Sequence, residues 1–258
     1  MSDQPFRFVE QHPDPQLHRW VLTYWEFHVS GGAPATHHVP PDGCTSLVLA
    51  HGPGGAPFFL TSGPWTTPLV VPAVAGQRTR GLRLTPGAAP LLLGVPASDL
   101  VNRVVPLGRG SLLPVAALLE RMHHEETASL AASINEILLA SAAQFPDPDP
   151  VAARAIGLLW LSGGTTPLPE VARQVGCSPR TLLRRVRLAT GLSPKQHARI
   201  IRFHSAARLL QRERTPISHA AASSGYADQP HFHHEVTALT GLTPAELRER
   251  IARTEHRS

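Results

Sequence analysis

Lysine is nearly missing from this chain of 258 residues: Lys195 stands alone against 23 arginines. Cysteine is almost as scarce, and Cys44 and Cys177, far apart in the sequence, exclude a disulfide framework. No run of about eighteen apolar residues occurs, which excludes a transmembrane helix of the ordinary kind. The opening MSDQPFRFVE carries no apolar core of the sort a secretory signal needs. These absences lead to the expectation of a cytoplasmic protein with no membrane partner. Proline, glycine and histidine are plentiful, at 26, 20 and 15 residues, so the chain is heavily punctuated by turns and rich in imidazole.

The strongest positive signal is a tandem repeat near the C-terminus. Thr166, Pro167, Ala172 and Gly176 recur as Thr215, Pro216, Ala221 and Gly225, an offset of 49. Past Ala227 the offset becomes 50 and pairs Val186 with Val236, Thr190 with Thr240, Gly191 with Gly241, Leu192 with Leu242 and Pro194 with Pro244. Two copies of one supersecondary unit are implied. Each copy reads as a helix opened by Thr-Pro, a glycine break, and a second helix capped by Ser178 or Asp228. Helix, tight turn and helix are the parts of a helix-turn-helix, whose second helix enters the major groove of DNA.

Between the copies, Ser193, Pro194 and Gln196 form a capping-box start for a helix running to about Arg212. Ile200, Phe203, Ala207 and Leu210 share one face of it, and Arg199, Arg202, Arg208 and Arg212 lie elsewhere. Such a helix would hold two readers about one DNA turn apart. The charge distribution agrees: net +9 from residue 150 onward, −5 over 111–149 and +1 over 1–110. Cations concentrated in one domain are the footprint of a phosphate-binding surface.

The segments GCSPRTLLRRVRLATGLSPKQHARIIRFHSAARLL and GYADQPHFHHEVTALTGLTPAEL resemble the DNA-binding domain of AraC/XylS-type transcriptional regulators, over roughly 154–252. The resemblance implies one transcription factor with two helix-turn-helix units in a single chain. By position, the first recognition helix would present Ser178, Arg180, Thr181, Leu183 and Arg184 to the groove, with Leu182 and Val186 inward. Arginine bonds guanine bidentately and leucine meets a thymine methyl. Arg185 and Arg187 read as phosphate contacts or solvated charges. The second helix departs from the family pattern: His234 stands where a basic residue is common, and Val236 stands in place of an aromatic. Its polar readers are Gln229, His231, His233 and His234, and neutral histidine attracts no phosphate. Weaker binding by this unit is the expectation.

The remaining chain is built differently. Apolar runs at Trp20 to Val29, Ser46 to Ala50, Phe58 to Thr61, Leu69 to Ala73 and Gly81 to Leu84, separated by Pro and Gly, predict a β barrel or sandwich. PPDGCTSLVL and GLRLTPGAAPLLLGVP make this part similar to the small sensor-type domain that accompanies some AraC-type regulators. Trp65, Arg78, Arg80 and Arg83 are the candidate wall of an effector site. Residues 111–145 predict amphipathic helices, with Leu112, Val115, Ala116 and Leu119 on one stripe and Leu130, Ile134, Ile137, Leu138 and Ser141 on another. FPDPDP, Phe145 to Pro150, reads as a hinge or linker.

The expected architecture is thus α+β: an N-terminal β domain over 1–110, a helical connector over 111–150, and an all-α DNA-binding domain over 151–258. Double-stranded DNA is the expected partner; RNA polymerase, a small-molecule effector and a second copy of the chain are further candidates. No catalytic residue, cofactor or metal is expected. The rival reading is a metal-dependent cupin-like enzyme domain fused to a nonspecific DNA-binding module. It is weakened because His37 and His38 are adjacent, and neighbouring side chains on a strand point to opposite faces. His231 and His234 share a helical face, but no cysteine or carboxylate completes a ligand set there.

Overall fold

The computed structural model describes residues 6–31, 36–51, 55–211 and 215–255. Its N-terminal part is an antiparallel sheet built from β1 (Phe6–Gln11), β2 (Val21–Val29), β4 (Thr45–His51), β5 (Pro57–Ser62), β7 (Arg78–Leu84) and β8 (Val104–Pro106), in the order β1-β2-β7-β4-β5-β8. A separate two-stranded ribbon pairs β3 (Thr36–Val39) with β6 (Leu69–Pro72). Period-two alternation decides which face goes inward. Tyr24, Leu82, Leu47 and Thr61 are successive cross-strand partners, as are Glu26, Arg80, Leu49 and Phe59, and all eight are buried.

Two helices cover that face, α3 (Val115–His124) and α4 (Thr127–Ser141). Leu118 and Met122 from α3, and Leu130, Ile134 and Leu138 from α4, join the sheet residues in one core. The α4 stripe is the one the sequence predicted; on α3 the buried pair is shifted, and Leu112 stays exposed. Tyr24 donates its hydroxyl hydrogen to Asn135 Oδ1 at 2.8 Å, tying α4 to the sheet. On the same face Arg80, only 2% exposed, donates from Nε to Glu26 at 2.7 Å and from a terminal nitrogen to the Met122 carbonyl at 2.8 Å. Burial pushes the Glu26 carboxyl up, but the Arg80 and Thr127 hydrogen bonds and the Arg80 and Arg78 charges outweigh it and hold the group below the usual carboxylate range. The opposite face meets the ribbon, where the His37 ring lies 4.6 Å from Phe6 and 4.7 Å from Phe27. A sheet between helices and a ribbon is a layered, sandwich-like solution, with β1 and β8 as its edges.

Two short helices follow β7: α1 (Ala89–Leu93) and α2 (Ala97–Leu100). The segment from Phe145 to Pro150 stops the preceding helix, as its prolines require, but it is fastened at both ends. Phe145 packs edge-on against Trp20 at 5.5 Å, and Trp20 Nε1 donates to the Pro146 carbonyl at 2.8 Å. Asp149 caps the next helix by accepting from the amides of Val151 and Ala152 at 2.9 and 3.0 Å. Of the hinge and the linker that alternating Pro and Asp suggest, the segment forms a linker pinned at both ends.

Beyond it come α5 (Pro150–Leu161), α6 (Leu168–Gln174), α7 (Pro179–Thr190), α8 (Pro194–Gln211), α9 (Ile217–Ser223), α10 (Gln229–Thr240) and α11 (Pro244–Glu255). They form two small cores, one around Ile156, Val171, Leu182 and Val186, the other around Phe203, Ala221, Phe232 and Val236. Helix α8 serves both, giving Ala198 and Ile201 to the first and Phe203, Ala206 and Leu210 to the second. Its 18 residues span about 27 Å at the α-helical rise. The capping box is formed: Ser193 N donates to Gln196 Oε1 at 2.8 Å, and Gln196 N to Ser193 Oγ at 3.2 Å. Arg212, assigned above to the charged face of this helix, lies outside the described residues. At α6 and α9 the residue in the cap position is Pro167 or Pro216, with no side-chain cap bond, so proline rather than threonine sets the start.

Candidate nucleic-acid interface

Helix α7 is held by the same devices at both ends that hold α10. Ser178 Oγ accepts from the Thr181 amide at 3.1 Å, and Asp228 Oδ1 accepts from the His231 amide at 2.7 Å. Gly191 and Gly241 end the two helices in the left-handed region, at φ 78° and 74°. Leu182, Val186, Ala189 and Thr190 point inward from α7; Phe232, Val236, Leu239 and Thr240 do so from α10. The opposite faces therefore project into solvent at matched positions.

On α7 that face carries Ser178, Arg180, Leu183, Arg184, Arg187 and Leu188, all exposed, with Thr181 half-buried beside the cap. Leu183 is 45% exposed and Leu188 73%, large values for leucine on a helix that already buries its other apolar side chains. Arg185 is different, for its Nε donates to Asp149 at 2.8 Å and it braces α7 against the start of α5. Burial raises the Asp149 carboxyl, and the Arg185 and backbone hydrogen bonds more than reverse it, leaving the group below the usual range. Arg180, Arg184 and Arg187 remain as the outward cations of α7.

On α10 the exposed face carries Gln229, His231, His233, His234, Thr237 and Ala238. With the repeat offset of 50, His231, His233 and His234 stand where Thr181, Leu183 and Arg184 stand on α7. Glu235 stands in the place of Arg185 and accepts from Arg199 Nε of α8 at 2.6 Å. Both braces join residues 36 apart, with the charges exchanged. Arg202 of α8 donates to the Gly164 carbonyl at 3.1 Å and lies 5.7 Å from the Tyr226 ring, joining the two units.

The four candidate effector residues do not converge. Trp65 Nε1 donates to Ser62 at 3.0 Å, and Arg80 is committed to Glu26 and Met122. Arg78 is exposed at the rim of the same pair, 3.7 Å from Glu26. Arg83 faces the other side of the sheet and bridges Glu10 and Asp42. Cys44, buried, donates its backbone amide to Asp42 Oδ1 at 2.9 Å.

An element the sequence did not announce is the contact between the two halves. His204 of α8 donates to the Pro41 carbonyl at 2.8 Å, and an added Cβ at Gly43 would come within 3.2 Å of the His197 ring. Helix α2 rests on the end of α7, where Ala97 and Val101 adjoin Gly191. The space left at this junction, lined by Gly43, Thr45, Gly87, Ala97, Ala189 and Thr190, is about 10 Å³, near the volume of one water. PPDGC marks the docking turn, but contact across more than 150 residues leaves no local periodicity to read.

His197 sits under that turn with its Nε2 2.9 Å from Thr190 Oγ1. Burial pushes its pKa down to about 4. A histidine depressed in the fold stays neutral there while the unfolded chain takes up a proton, so its stability is complete above about pH 6.5 and is lost as pH falls towards 4. Urea unfolding of the intact chain should show this loss, and His197→Gln should flatten the profile in that window. Equal profiles for the two proteins would contradict the assignment.

Paired helix-turn-helix units on a shared helix define a DNA-binding class of protein. Residues 171–250 match the family of the helix-turn-helix domain, and residues 9–106 match a domain of unknown function, DUF6597. Its C-terminal part is thus similar to the DNA-binding domains of AraC/XylS-type regulators. Over 79 residues it is 33% identical to the HTH-type transcriptional activator RhaS of Escherichia fergusonii, a stretch that covers 31% of this chain and 28% of that relative. The chain thus spans little more than a quarter of the curated relative's length. Among solved structures, ToxT from Vibrio cholerae O395 aligns over 96% of this chain and 98% of its own at 10% identity, TM-score 0.46. An AraC-type regulator from Chromobacterium violaceum aligns over 44% of this chain and 97% of its own at 24% identity, TM-score 0.39. Among the described residues no helix is long and apolar enough to cross a membrane.

Proposed function

We propose that this chain is a sequence-specific DNA-binding transcriptional regulator acting in the cytoplasm, without catalytic chemistry of its own. The observation that carries this reading is the face of α7, where Arg180, Arg184 and Leu183 are exposed while Arg185 is withdrawn into a structural ion pair. Arg180 and Arg184 read guanine edges, Leu183 and Thr181 meet neighbouring bases, and Arg187 holds a phosphate. The Ser178 end of α7 points at the duplex. Helix α10 lies in the adjacent groove with Gln229, His231, His233 and His234, and contributes less to affinity.

One chain supplies both readers, so binding needs no second copy. The apolar stripe of α4 is spent on its own sheet, which argues for regulation through the N-terminal domain's grip on the DNA-binding domain. A small effector would act by altering that grip, and RNA polymerase is the partner through which occupancy reaches transcription. The experiment is a footprint of the intact protein on duplexes selected from random sequence. A discrete protected site that weakens at particular base pairs on loss of Arg180 or Arg184 supports the reading; uniform weak binding to all sequences overturns it.

A further inference from the structure

Helices α7 and α10 present the same face with opposite electrostatic character. In sequence α7 carries four arginines and no acid, whereas α10 carries no arginine or lysine and one acid, Glu235. Both helices keep one charged residue for a brace, and what remains outward is three arginines on α7 against three histidines on α10. We propose that the second unit grips DNA in a proton-linked way: His231, His233 and His234 take up protons when the phosphate backbone closes over them. This rests on the reading above and adds a regulation to it.

The physical basis is linkage. Histidine is the side chain that changes charge between pH 5 and 8, and a neutral imidazole releases no counterion from DNA. Any negative potential that favours the protonated form must, reciprocally, bind that form more tightly. Three exposed imidazoles within four residues, on a helix whose geometry points them where Thr181, Leu183 and Arg184 point on α7, are placed to feel that potential.

Charged and titratable groups surround α10, and the Ala227 amide, which donates to His231 Nδ1 at 3.4 Å, opposes proton uptake at that one nitrogen. From α8, Arg199 is engaged by Glu235, and Arg202 lies against Tyr226. From α9, His219 contacts Ser223 at 3.3 Å. At the cap, Asp228 accepts from the His231 amide, and the Tyr226 ring lies 5.4 Å from that of His231. From α11, Glu246 accepts from the Thr243 amide at 2.7 Å. Arg248, Glu249 and Arg250 are further charged residues of α11.

The test uses the intact chain and a selected duplex of about three helical turns, at fixed ionic strength. Between pH 8 and pH 6 affinity should rise about tenfold or more, with proton uptake seen in calorimetry as a buffer-dependent enthalpy. The footprint should lengthen over the second half-site as pH falls. Replacing all three residues, His231→Gln, His233→Gln and His234→Gln, should flatten the profile between pH 8 and pH 6. His234→Arg should raise the pH 8 affinity. A wild-type profile that is flat, or one that the triple variant reproduces, overturns the proposal. Because the first unit carries permanent charge, binding at pH 8 that depends on Arg180 and Arg184 tests the underlying reading separately.

Discussion

Arg184→Ala in the intact chain is expected to lower affinity for its selected duplex by about tenfold to a hundredfold, and to relax the sequence preference at one base pair. Arg184 is exposed one turn into α7, directly after Leu183, and no ion pair engages it among the described residues. Its neighbours make the prediction sharp. Arg187→Ala should weaken all sequences alike and reduce the salt dependence by about one counterion, as befits a phosphate contact. Arg185→Ala should leave sequence preference intact and cost a little stability, because that side chain holds Asp149. Three arginines within four positions are thus expected to give three different signatures. If Arg184 and Arg187 variants lose affinity equally on specific and random duplexes, base reading by α7 is wrong.

That contrast between neighbours was only partly legible in the sequence. The tandem repeat displayed both units, because glycine turns, caps and inward apolar residues leave a local pattern at fixed spacing. The inward set Leu182 and Val186 recurs as Phe232 and Val236, and all four are buried. What the pattern did not show was which arginine is spent on structure. Arg185 finds Asp149 across 36 residues, and Arg199 finds Glu235 across another 36, so neither pairing has a local signature.

The same reason explains the N-terminal part. Strands with long apolar stretches, β2, β4, β5, β6 and β7, were visible. Strand β1 was not, since Arg7 and Glu10 interrupt it and Phe8 is exposed at the sheet edge; β3 hid behind its two histidines and β8 is three residues long. Arg80 and Arg83 looked like candidates for a ligand wall because a charge inside a β pattern is unusual. The sheet uses them instead to anchor Glu26, Glu10 and Asp42. A buried charge announces that it has a partner, and sequence alone does not say whether the partner is a ligand or a carboxylate.

Gly191→Ala is expected to destabilise the intact chain by about 2–4 kcal/mol, while Gly241→Ala, its counterpart in the repeat, should cost about 1 kcal/mol. The two glycines close equivalent helices with nearly equal left-handed φ angles, so the backbone penalty of a Cβ is common to both. Their surroundings differ. A Cβ at Gly191 would stand 2.6 Å from the Ala97 carbonyl oxygen and from Val101, so the backbone of α2 would have to retreat. At Gly241 the nearest atom is His38 Nδ1 at 3.7 Å, an ordinary contact. The difference between the variants therefore measures how firmly the N-terminal domain rests on the end of the first reader. Docking at this point, together with Pro41 on His204, fixes α7 and α8 relative to the sheet, which is the route by which a change in the N-terminal domain would reach the DNA-binding face. Urea unfolding of the two variants decides it, with protease cleavage within 145–150 as a second readout. Equal losses in the two proteins, with no added cleavage for Gly191→Ala, would mean that the sheet domain does not bear on the recognition helix.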